Sequence, residues 1–125
     1  MSTKIIIDIE GTELSGTLGD GGLASAIAGA LPTSVRLSRW GDEYYGAIGL
    51  NAENESDAEE VVDVGTLAYW PPGDAFCIFF GPTPASSGDE ARAASAVTVI
   101  GSLDGDVSET LRAMGGSVTA AIRLT

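Results

Sequence analysis

Residues 69–84 read YWPPGDAFCIFFGPTP and hold four of the chain's five prolines, including its only Pro-Pro pair. Pro71 and Pro72 have a fixed φ and no amide N–H, and each pushes the residue before it toward extended geometry. A strand carrying Tyr69 and Trp70 must therefore end at Pro71, and Gly73 gives the chain freedom to turn. Residues 75–80 then alternate, with Phe76, Ile78 and Phe80 on one face and Cys77 and Phe79 on the other. Both faces are apolar. In a closed sheet one of them fills the interior, and the other must meet a helix, a partner or a ligand. The prolines of residues 81–84 cannot join a ladder, which predicts an exposed, stiff loop that presents the Thr83 hydroxyl.

The same period extends outward. Ile5, Ile7 and Ile9 alternate with polar residues, Gly11 marks a turn, and Leu14 and Leu18 continue the pattern as an opening hairpin. Leu23, Ala26, Ile27, Ala30 and Leu31 change to helical spacing between Asp20, a candidate N-cap, and Pro32, a stop. Residues 35–40 and 44–48 read as two strands around a turn. Residues 51–60, NAENESDAEE, read as a solvated acidic loop; the order of acidic residues is not that of an EF-hand. Strands are predicted at 61–64, 66–70, 75–80, 96–101 and 118–124. A short helix after 106–109 has capping-box spacing. About eight short strands and two short helices, in a chain of 125 residues, describe one all-β domain, a sandwich or barrel.

Composition narrows the function. Six basic residues face eighteen acidic ones, a net charge of −12. Such a surface repels nucleic acid and anionic membranes, so neither is expected as a partner. No apolar run approaches the ~20 residues of a membrane span, and the first residues do not form a signal peptide. The expectation is a cytoplasmic protein. There is no histidine, which excludes a Ser-His-Asp or Cys-His site within one chain and removes the commonest metal ligand. No metal or cofactor is expected. The single cysteine, Cys77, reads as a small buried hydrophobe rather than a thiolate.

Five pieces in order carry a resemblance: RWGDEYY at 39–45, VVDVG at 61–65, YWPPG at 69–73, CIFFGPTP at 77–84 and ASAVTVIG at 94–101. They resemble a family of small prokaryotic proteins with a cyclophilin-like fold. The resemblance spans nearly the whole chain. It implies a closed eight-stranded antiparallel barrel with two short helices capping the ends. It also implies a groove on the outer face. True cyclophilins isomerise X–Pro bonds there with an arginine, phenylalanines, a glutamine, a tryptophan and a histidine. This chain has no histidine or glutamine and lacks the Phe-His-Arg segment, so Arg39 is the nearest counterpart of that arginine.

The expected site is this outer groove, taking a small molecule or an extended peptide. Trp40, Tyr69, Trp70, Phe80 and Thr83 are expected in its wall, with Arg39 as polar anchor. Two other readings stand beside it. One is a weak prolyl isomerase in which Arg39 polarises the amide. The other is a structural protein that oligomerises through the second apolar face of residues 75–80.

Overall fold

The computed structural model describes residues 2–125. Nine strands form, in chain order β1 Thr3–Ile9, β2 Thr12–Leu18, β3 Thr33–Arg39, β4 Glu43–Ala47, β5 Glu59–Val62, β6 Thr66–Trp70, β7 Ala75–Phe79, β8 Ala91–Leu103 and β9 Ser117–Leu124. Two helices, α1 Gly22–Ala30 and α2 Ser108–Arg112, and a 3-10 turn at Pro71–Gly73 complete the chain. Eight strands close a ring in the order β1-β9-β3-β4-β7-β6-β8-β2, every neighbouring pair antiparallel. β5 lies outside it, paired to β8 alone.

The opening hairpin has the two-residue turn its sequence suggests: Glu10 and Gly11 both have positive φ, 51° and 99°, the geometry that matches strand twist. The ring closes where β2 meets β8, with Gly16, Thr17 and Leu18 opposite Leu103, Ser102 and Gly101. A Cβ at Gly101 would collide with the Thr17 carbonyl, so glycine is what permits this close approach.

The interior holds Ile5, Ile7, Leu18, Leu37, Tyr44, Leu67, Tyr69, Phe76, Ile78 and Phe80, with Leu23, Ala24 and Ile27 of α1 and Leu111 of α2 joining the same cluster at the ends. The two helices thus cap the ring. The apolar face of α1 is Leu23, Ala24 and Ile27, whereas Ala26 and Ala30, expected on that face, are exposed. Its N-cap is Gly21 rather than Asp20.

A second cluster lies outside the ring. Ala68, Ala75, Cys77 and Phe79 pack beneath Val62, Ala91, Ala93 and Val97. β8 makes this possible. It starts five residues earlier than its apolar run suggested. Its first half covers the outer face with β5, and a register shift opposite Leu67 and Ala68 then feeds Ile100 and Leu103 into the interior. The outer face of β7 is therefore covered by the chain itself. It offers no apolar surface for oligomerisation, and the interface suggested by its pattern is an internal core.

The acidic segment of residues 51–58 has no regular structure, but it is pinned. The Asn54 amide donates to the Ala96 carbonyl and the Thr98 hydroxyl donates to Asn54 Oδ1, at 3.1 and 3.0 Å. The Thr98 hydroxyl also accepts from the Glu55 amide, and the Glu55 carboxylate accepts from Leu23 N–H at the start of α1.

Candidate functional site

Strand alternation decides which side chains can meet on the outer face. In β4, Tyr44 and Gly46 point inward, while Glu43 and Tyr45 point outward, opposite Phe79 and Cys77 of β7. In β6, Tyr69 points inward and Trp70 outward, opposite Ala75. Arg39 ends β3 on the inner side, opposite Tyr44. Trp40 follows it into the turn and comes round to the outer face.

Trp40, Glu43, Tyr45, Trp70, Ala93 and Ala94 line an open pocket of about 230 Å³. Its walls are aromatic. The Tyr45 and Trp70 rings meet edge to face at 6.4 Å, a favourable aromatic geometry. The Trp70 indole N–H donates to the Ser95 hydroxyl at 2.8 Å, which fixes the ring. Ala93 and Ala94, on the covering half of β8, leave the space that larger residues would fill.

At the base lies Glu43, only 5% exposed. Its Oε1 is buried with no hydrogen-bond partner, alone in this among the described side chains. Leaving such an atom unpaired costs on the order of 1–3 kcal/mol. Burial pushes the Glu43 carboxyl up to about 7 from the ordinary 4.5, opposed by the neighbouring Cys77 thiol. Burial, together with the Glu43 carboxylate, keeps that thiol protonated well above its usual range. Cys77 is thus the buried, unreactive cysteine expected.

Of the residues expected in the wall, Trp40 and Trp70 line this pocket and the others do not. Tyr69 is fully buried inside the ring. Its hydroxyl donates to the Asp74 carboxylate and accepts from Ala52 N–H. Asp74, at the end of the Pro-Pro-Gly turn, also accepts from the amides of Gly49, Leu50 and Asn51 at 2.9, 3.0 and 2.7 Å. The Tyr69 bond and these amides hold Asp74 below the usual carboxylate range, while burial pushes the Tyr69 phenol up. The stiff turn therefore clamps residues 49–51 rather than presenting Tyr69 at a rim.

Thr83 is also buried, because the start of β8 folds over its loop; its hydroxyl donates to the Arg92 carbonyl and accepts from Ala85 N–H. Phe80 belongs to the interior, where its ring lies 5.7 Å from that of Tyr44. The Arg39 guanidinium sits over both rings, 5.0 Å from the Phe80 centroid and 5.8 Å from that of Tyr44. It donates to the carbonyls of Gly41, Arg112 and Met114 and to Asp42 Oδ1. Asp42 Oδ2 accepts from Arg112 at 3.0 Å, tying the turn between β3 and β4 to α2. Arg39 closes one end of the ring, away from the outer pocket.

Glu43, Tyr45, Ala93 and Ala94 were not among the expected wall residues. Tyr45 belongs to the RWGDEYY piece at 39–45, and its aromatic character beside Trp40 was the available signal. A carboxylate opening a short strand gives none. Among the described residues no group of three potential ligands is arranged to hold a metal ion, and no helix is long and apolar enough to cross a membrane.

Comparison with known proteins agrees with this geometry. The model of the cyclophilin-like family matches residues 3–123. The solution structure of the hypothetical protein AF2241 from Archaeoglobus fulgidus is similar with a TM-score of 0.81 and 34% identity, over 99% of this chain and 95% of that one. The structure of McbB in complex with tryptophan superimposes with a TM-score of 0.69 at 15% identity, over 95% of this chain and 44% of that one, a likeness of fold. No curated protein sequence matches.

Proposed function

The chain belongs to the cyclophilin-like family, and from that premise we propose that it is a binding protein whose outer pocket takes one ring-sized apolar group of a small molecule or an extended peptide. The observation that carries this reading is the pocket itself, about 230 Å³ between Trp40, Tyr45 and Trp70 and bordered by Ala93 and Ala94. Its volume falls below the ~300 Å³ at which drug-sized sites begin, so it suits a single ring rather than a large cofactor. McbB, alike in fold, is known in complex with tryptophan, so a ring-bearing small molecule is compatible with this architecture. Nothing favours prolyl isomerisation: Arg39, the nearest counterpart of the isomerase arginine, is turned inward at the ring's end and engaged with carbonyls and Asp42.

Both tryptophans of the chain line the pocket, so indole signals report on it without background. Titration with benzyl alcohol, followed through the two indole N–H resonances, is expected to give saturable shifts. Ala94→Phe, at an exposed position, fills the mouth and is expected to abolish them. Trp70→Ala should weaken binding by about tenfold, the order of one lost aromatic contact. Shifts that fail to saturate, or that persist unchanged in Ala94→Phe, would remove the pocket as a binding site.

A further inference from the structure

Glu43 is the only buried carboxyl among the described residues, and it borders the pocket instead of an ion pair. The Arg39 guanidinium faces the interior, and Arg92 pairs with Glu90 and Glu60. No basic side chain lines the pocket, so an anionic ligand would find no partner there. The unpaired Oε1 needs a donor. The aromatic walls favour a cation, because Trp and Tyr rings present negative faces. The net charge of −12 concentrates cations near the molecule and repels carboxylates and phosphates.

We infer that the occupant carries a protonated amine, which pairs with the Glu43 carboxylate while its apolar ring lies between Trp40, Tyr45 and Trp70. This rests on the pocket being a binding site and names the chemical class it selects. The ligand-free carboxyl holds a proton for part of the time near neutral pH. When an R–NH₃⁺ ligand binds, Glu43 becomes the carboxylate and that proton passes to solvent; no covalent bond in the ligand changes. The groups facing Glu43 do not compete for this role. The Cys77 thiol of β7 stays protonated. From the 40–42 turn, β6 and β8 it meets Trp40, Trp70, Ala93 and Ala94, none of them titratable, and its own strand adds the Tyr45 phenol.

The test compares benzylamine with its neutral analogue benzyl alcohol, by indole N–H shifts and by calorimetry in phosphate and in Tris. At about pH 8 benzylamine is expected to bind about tenfold more tightly, the order of one charge-assisted hydrogen bond. The advantage should shrink toward about pH 5, and at about pH 7, where the free carboxyl is still partly protonated, the two buffers should differ in heat because a proton is released. In folded Glu43→Gln the preference for benzylamine over benzyl alcohol should be lost. Equal affinities for the two probes at pH 8, or a preference that survives in a folded Glu43→Gln, would overturn the amine while leaving the pocket intact. Benzyl alcohol binding that strengthens toward pH 5 and exceeds that of benzylamine would show Glu43 donating to a neutral ligand, and also overturns it. Binding of neither probe removes the pocket and the amine together. If Glu43→Gln does not fold, the pH series on the unaltered protein decides.

Discussion

Arg39→Ala is expected to lower the free energy of unfolding by about 3 kcal/mol, the order found when one partner of a largely buried ion pair is removed. The loss has identifiable parts. Asp42, 17% exposed at its side chain, keeps only Arg112 as partner. The carbonyls of Gly41, Arg112 and Met114 lose a donor. The rings of Tyr44 and Phe80 lose the cation above them. Chemical denaturation should show a lower midpoint with an unchanged slope. Arg39→Lys should recover only part of the loss, since an ammonium cannot reproduce the planar fork. A change below about 1 kcal/mol, the range of an exposed pair, would mean that Arg39 does not close the ring's end. Benzyl alcohol binding should be the same in folded Arg39→Ala, which separates this residue from the pocket.

The second large effect is in pH. Glu43 has a folded-state value near 7 against 4.5 ordinarily, so the folded protein binds its proton more tightly than the unfolded chain does. The stability this confers is complete below about pH 4.5 and is lost as pH rises through about 7. The loss is about 3.5 kcal/mol, from roughly 1.4 kcal/mol per pH unit of difference. Glu90, held near 2 by the Ser87 amide and Arg92, and Asp74, held low by Tyr69, act in the opposite sense. Their stability is present above the ordinary carboxylate range and lost below it. Between about pH 5 and 7 the slope therefore belongs to Glu43. Denaturation midpoints of the unaltered protein should fall across that window, and those of Glu43→Gln should not. Parallel profiles would mean that the carboxyl is not held in an apolar site.

The fold was legible because its signals are local and agree with one another. Ile5, Ile7 and Ile9 keep a period of two, Phe76, Ile78 and Phe80 repeat it, and the Glu10-Gly11 turn has the geometry its residue types favour. Of the candidate pocket only Trp40 and Trp70 were legible, and the reason is also alternation. Tyr69 and Trp70 are consecutive in one strand, so they point to opposite faces and only one can line an outer pocket. The same holds for Phe79 and Phe80, while Arg39 and Trp40 separate at the end of β3. Aromatic or basic character marks such pairs as interesting without saying which member faces out. Glu43 was illegible for a different reason. Ala93 and Ala94, which line the same pocket, stand some fifty positions later, and no local pattern records that they meet it.

The closed ring and the ribbon outside it differ in one further respect. Within the ring the strands have neighbours on both sides, but β5 pairs with the first half of β8 alone and presents a free backbone edge. Such an edge invites strand addition from a second molecule. Here it carries exposed Glu59 and Glu60, next to Asp57 and Asp63, so an approaching copy meets a matching row of like charges. The opposition is electrostatic and therefore weakens as ions shorten its reach, to ~10 Å at 0.1 M salt. Sheet-to-sheet aggregation of this protein has an evident starting point, and dilute buffer is the condition that guards it best.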